Sequence, residues 1–202
     1  MTIAPDRLRA MNLKEAFRRM QSTATTTGTC GCCGAVVLDG FNSCRDIFNA
    51  VLEREYSVPA FGESHLFTVD AYALQHSEQH GPRSNAFHLM RLCWLIEHKG
   101  NPTILQVQRG GRAFYGARDQ FTRVPSRSDG DFSHAREQTF RHLPFLAPPA
   151  SRGELTVGSV LQAQTSEEHA KRAEAWGRSV WEAWSEHHSW AREQVMQWFK
   201  PK

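Results

Sequence analysis

The sequence predicts a mainly α fold, a helical bundle-like domain with an N-terminal zinc-knuckle loop and little or no β-structure. Three observations carry this. Apolar residues recur at helical spacing through most of the chain, and two capping-box patterns open apolar stripes. Strand candidates are confined to residues 35–38 and 155–157, and the run Cys30-Gly31-Cys32-Cys33-Gly34 has the form of a zinc knuckle.

Taken in order, residues 6–20 are basic and amphipathic, with Leu13, Phe17 and Met20 at helical spacing. Asp6 and Glu15 argue against a transit peptide, so a docking or dispensable helix is expected there. Residues 21–29 form a Ser/Thr/Gly linker without apolar periodicity. The expected organisation is therefore a leader and linker over 1–29, followed by a single helical metal-binding domain over 30–202. Ser43 with Asp46 resembles a capping box for a helix carrying Ile47, Phe48, Val51 and Leu52 and ending near Glu55, ahead of Pro59 and Gly62. A second helix is expected from Ser64 to about His76. A third runs from about Ser84 to His98 and is so apolar that it belongs at the centre of the core. Asn101-Pro102 opens a shorter helix to about Arg109. Residues 110–149, rich in Gly, Arg and Pro, read as an irregular insertion. Thr165 with Glu168 caps a long helix to about His187, bearing Trp176, Val180 and Trp184, and a last helix spans about 189–199.

The 202 residues, 40% hydrophobic and 22% charged, suffice for a real core without disulfides. No apolar run reaches the ~18–20 residues of a membrane helix. A net charge of +3 is too small to argue for nucleic acid. Five cysteines without a signal-peptide pattern fit a reducing, cytoplasmic setting, where clustered thiols signify metal or redox chemistry.

Cys30-x2-Cys33-Gly34 supplies two thiolates on one tight turn, with glycine free to take positive φ. Cys32 points away in that geometry. Cys44, at a predicted helix N-terminus where the thiolate is favoured, and His65, in the first turn of the next helix, complete an expected Cys3His zinc tetrahedron. The competing reading is a redox dithiol or an accidental cluster. His65 and His76 are eleven residues apart, roughly 16 Å along a helix, so one ion cannot hold both. His76 is therefore expected elsewhere. His187 and His188 point about 100° apart and end the tryptophan stripe, as pocket residues or as helix C-terminal histidines. His76 and His80, four residues apart, could share a metal if the helix persisted, but Gly81-Pro82 argues that it is already ending; His88, His98, His134, His142 and His169 are expected to be structural or superficial.

The runs CGCCGAVVLDG, CRDIFNAVLEREYSVPAFGESHLFTVDAYALQH, HLMRLCWLIEH and SVWEAWSEHH resemble an uncharacterised bacterial family, a domain of unknown function with CxxCG, HxLTVDAYxLQHP-like and WxxWxxHH motifs. The resemblance spans about residues 30–190. It implies that Cys30, Cys33, Cys44, His65, Asp70, Tyr72, Gln75, His76, His187 and His188 occupy motif positions. Ser77 stands where the motif has proline, and Cys32 and the insertion around 110–131 depart from it. The family lends no activity.

Three function classes follow. The first is a zinc-binding protein whose site locks the knuckle onto the helical core. The second is a metal-dependent hydrolase or lyase in which His76, with Asp70, Tyr72, His187 or His188, lines a pocket for a small-molecule substrate. Asp70 sits about 120° from His76 on a helix, whereas Tyr72 shares its face. The third is a nucleic-acid or protein interaction module using Arg109, Arg112, Arg118, Arg123 and Arg127 with Phe114 and Tyr115, which the small net charge disfavours.

Overall fold

The computed structural model describes residues 28–37, 39–80, 82–98 and 146–198. The expected leader helix, the helix over 101–109 and nearly all of the 110–149 insertion lie outside these residues. The architecture is mainly α: a two-stranded antiparallel hairpin, β1 (Gly28–Thr29) and β2 (Val36–Val37), precedes a packed set of helices. These are α1 (Cys44–Ser57), α2 (Pro59–Gly62), α3 (His65–Gln75), α4 (Pro82–Glu97), α5 (Val157–Leu161), α6 (Ser166–Ala183) and α7 (His188–Trp198). Among the described residues no helix is long and apolar enough to cross a membrane.

Two helix starts are built as the sequence indicates. Ser43 is extended, and its Oγ accepts from the Asp46 N–H at 3.3 Å, while Asp46 accepts from the Asn42 N–H at 3.0 Å. Thr165 accepts from the Glu168 N–H at 3.1 Å, and Glu168 accepts from the Gln164 N–H at 2.8 Å. Each pair satisfies N–H groups that a helix start leaves without intrahelical partners. α1 stops where Val58, forced into an extended conformation by Pro59, caps it.

α3 lies at the centre. One side packs on α6 and the other on α4, which in turn packs against α7; α5 bridges α1 and α6. The buried positions of α6, namely His169, Ala173, Trp176, Gly177, Val180 and Trp181, fall on one helical face. Its opposite face carries i,i+4 ion pairs, Glu167–Lys171 and Glu174–Arg178. α6 reaches α3 closely because position 177 is glycine: a Cβ there would lie 2.6 Å from the Phe67 ring.

Two details differ from expectation. Residues 155–157 form no strand. The Glu154 and Leu155 N–H groups donate to Ser179 Oγ, the Leu155 carbonyl accepts from Gln75, and Val157 begins α5. Side chains thus satisfy backbone groups that a strand would have paired. The second difference is α2, a single turn that the Pro59/Gly62 pair had suggested would be irregular.

Candidate metal centre

The hairpin pairs Gly28 with Val37 and Thr29 with Val36, so its loop begins at Cys30. The Cys30 N–H donates to the Ala35 carbonyl at 2.8 Å, and the Gly34 N–H to the Cys30 carbonyl at 2.9 Å. Gly34 has φ +72°, a conformation that favours glycine. The turn aims the N–H groups of Cys32 and Cys33 at the Cys30 sulfur. Cys33 is buried and Cys32 is exposed.

Two further donors approach from the helical core. Cys44 is the first residue of α1, and His76 caps the C-terminus of α3. Cys44 Sγ lies 3.3 Å from Cys30 Sγ and 3.3 Å from His76 Nε2, and Cys30 Sγ lies 3.6 Å from the same nitrogen. The ligating atoms of Cys30, Cys33, Cys44 and His76 all lie within 4.8 Å of one another. Sulfurs ~2.3 Å and a nitrogen ~2.0 Å from a shared tetrahedral ion would stand roughly 3.5–3.8 Å apart. The group can therefore hold a metal ion with little movement.

The imidazole is already oriented. His76 Nδ1 lies 2.9 Å from the Tyr72 carbonyl, which fixes Nδ1–H as the donor and leaves the Nε2 lone pair facing the sulfurs. The Tyr72 ring stacks on His76 at 4.1 Å, and Phe48 stacks on Tyr72 at 3.8 Å. The Tyr72 hydroxyl hydrogen-bonds to Cys44.

Burial works against a thiolate at Cys30. The N–H groups of Cys33 and Cys32, with His76 and Cys44, outweigh it and bring that thiol down to about 6. Burial pushes Cys44 up to about 11, aided by its contact with Cys30. Burial likewise holds Cys33 far above the usual thiol range, with the negative charge of its neighbours adding to the effect. A divalent cation held there would offset the burial that works against thiolates at Cys33 and Cys44.

His76, where the sequence suggested His65, stands with the three cysteines. The two histidines do lie at opposite ends of α3, as helix rise requires. α3 runs antiparallel to α1, so its C-terminal end returns to where α1 begins. His65 instead meets the far end of α1, with Nδ1 2.8 Å from Glu55 Oε2. The expectation that His76 lies apart from the cysteines fails for the same reason.

The remaining candidates are dispersed. Asp70 is fully buried and accepts from Arg91 Nε at 2.8 and 3.0 Å and from His88 Nδ1 at 2.7 Å. His187 Nε2 donates to the Ala147 carbonyl and His188 Nε2 to the Trp181 carbonyl, and His188 stacks on Trp181 at 3.6 Å. Neither is placed with His76 in the Cys/His group. Gln75 ties α3 to α6 and to the 152–155 loop, accepting from Trp176 Nε1 and donating to the Arg152 and Leu155 carbonyls. Cys93 is buried in α4, as its apolar surroundings suggest. His134 and His142 fall outside the described residues.

Sequence reasoning missed Glu55. It is 3% exposed and accepts from His169 Nε2 at 2.9 Å and Thr68 Oγ1 at 2.5 Å as well as from His65. The available sign was an acid continuing the buried stripe Cys44, Ile47, Val51.

No curated protein and no solved structure matches the chain. The model of one family, described as a family of unknown function (DUF5946), matches residues 28–185, and the chain belongs to that family.

Proposed function

We propose that the protein binds one zinc ion through Cys30, Cys33, Cys44 and His76 and that the ion is structural, clamping the N-terminal hairpin onto the helical core. The convergence of four donor atoms from three separate segments, the hairpin loop, the start of α1 and the end of α3, carries this reading. Four protein ligands leave no open position for water or substrate, which is the pattern of a structural site. The hairpin also needs such a clamp: its strands are two residues each, far below what a two-stranded ribbon requires to persist alone. A Cys3His set with three soft sulfurs favours zinc over the hard cations.

The same reading takes residues 30–202 as the metal-binding domain and 1–29 as a basic helix and linker whose last two residues, Gly28 and Thr29, join the hairpin as β1. Thiolate ligands accord with a reducing, cytoplasmic setting. Native mass spectrometry of the full chain tests the proposal. One zinc equivalent is expected, lost on Cys44→Ser or His76→Gln and kept on His65→Ala. Retention of zinc by His76→Gln together with its loss from His65→Ala would overturn the assignment of the fourth ligand.

A further inference from the structure

A second constellation stands at the opposite end of the α1–α3 pair, independent of the metal centre. Glu55 and Tyr56 are consecutive near the end of α1, so their side chains project about 100° apart, one inward and one outward. Glu55 is buried, whereas Tyr56 is 73% exposed. The short reversal through α2 then brings His65, the first residue of α3, against both. His65 Nδ1 lies 2.8 Å from Glu55 Oε2, and His65 Nε2 lies 3.1 Å from the Tyr56 hydroxyl. With Nδ1–H donating to the carboxylate, Nε2 carries the lone pair and accepts from the phenol.

Glu55 is held as an anion. Burial opposes its charge, yet hydrogen bonds from His169, His65 and Thr68 keep its carboxyl below the usual range. A fixed carboxylate, an imidazole oriented by it and a hydroxyl on the imidazole's free nitrogen is the arrangement that activates hydroxyl nucleophiles. Here the hydroxyl faces solvent.

We propose that Tyr56 is a nucleophile toward neutral activated acyl esters, with His65 as its general base and Glu55 as the positioning residue. The Tyr56 oxygen attacks the ester carbonyl carbon while its proton passes to His65 Nε2. The bond from that carbon to the leaving oxygen breaks, and the leaving oxygen takes the proton from His65. The products are an acyl-tyrosine and an alcohol, with Glu55 ionised throughout.

The test is acetylation of the full chain by p-nitrophenyl acetate, with the adduct located by peptide mass spectrometry. Exposed Cys32, remote from the relay, serves as the internal reference. Tyr56 is expected to be acetylated in a burst of p-nitrophenol release that Tyr56→Phe reduces to the contribution of Cys32. His65→Gln should slow Tyr56 acetylation by about 100-fold while leaving the Cys32 rate unchanged. Glu55→Gln should lower the Tyr56-to-Cys32 ratio in the same direction. Acetylation of Cys32 without Tyr56, or acetylation of Tyr56 at the original rate in His65→Gln, would overturn the proposal.

Discussion

Replacing Asp70 with Asn separates a packing role from a catalytic one at a residue whose motif position invites the second. Asn keeps the shape and an acceptor for His88, but it removes the charge facing Arg91. The Arg91 side chain is 9% exposed and the Asp70 side chain 0%, so the guanidinium would remain charged in a site that water hardly enters. The guanidinium also lies over the Phe87 ring, 5.1 Å from the ring centroid. Breaking such a pair from one side costs about 3–5 kcal/mol, whereas replacing both partners by neutral groups costs far less. For a chain of this size that cost lowers the melting midpoint by roughly 6–20 °C. Urea unfolding followed by circular dichroism should show the full loss for Asp70→Asn and for Arg91→Met. It should show much less than their sum for the double variant. Additivity of the two single changes within about 0.5 kcal/mol would refute the reasoning, because independent sites add and a buried pair does not.

Three other outcomes follow from the same packing and electrostatics. Gly177→Ala gains about 1 kcal/mol of helix propensity but drives a methyl into the Phe67 ring, so a net loss of up to about 2 kcal/mol is expected, relieved when Phe67→Leu is added. Because the Glu55 carboxyl is held below its usual range, its stabilisation is complete above roughly pH 4.3 and disappears as pH falls through the lower folded value. The Glu55→Gln variant should therefore show a shallower acid limb in a pH series of denaturation midpoints. Thr165→Ala removes the cap on the Glu168 N–H and should cost about 1 kcal/mol in urea, leaving the metal content unchanged.

The helical class was legible because its causes are local. Ser43 and Thr165 cap their helices through contacts three residues away, and the stripe of Trp176, Val180 and Trp184 is a matter of period. The knuckle was legible for the same reason, since Cys30 and Cys33 share one turn. The fourth partner was not local. The spacing of His65 and His76 proved that they cannot meet at one ion, but it did not say which end of α3 faces the hairpin. Chain reversal carried that information. A 14-residue helix starting at Cys44, a short connection and an 11-residue antiparallel return bring position 76, not 65, back beside Cys44. Glu55 was hidden in another way, because a carboxylate inside an apolar stripe becomes intelligible only once His65, Thr68 and His169 from two other helices supply its hydrogen bonds.

The coordination shell of the ion is the most direct test of the proposed metal centre. X-ray absorption at the zinc edge on the purified full chain should show a four-coordinate shell of three sulfurs at ~2.3 Å and one nitrogen at ~2.0 Å. A shell with two sulfurs and added oxygen, or a folded chain that carries no metal, would contradict it.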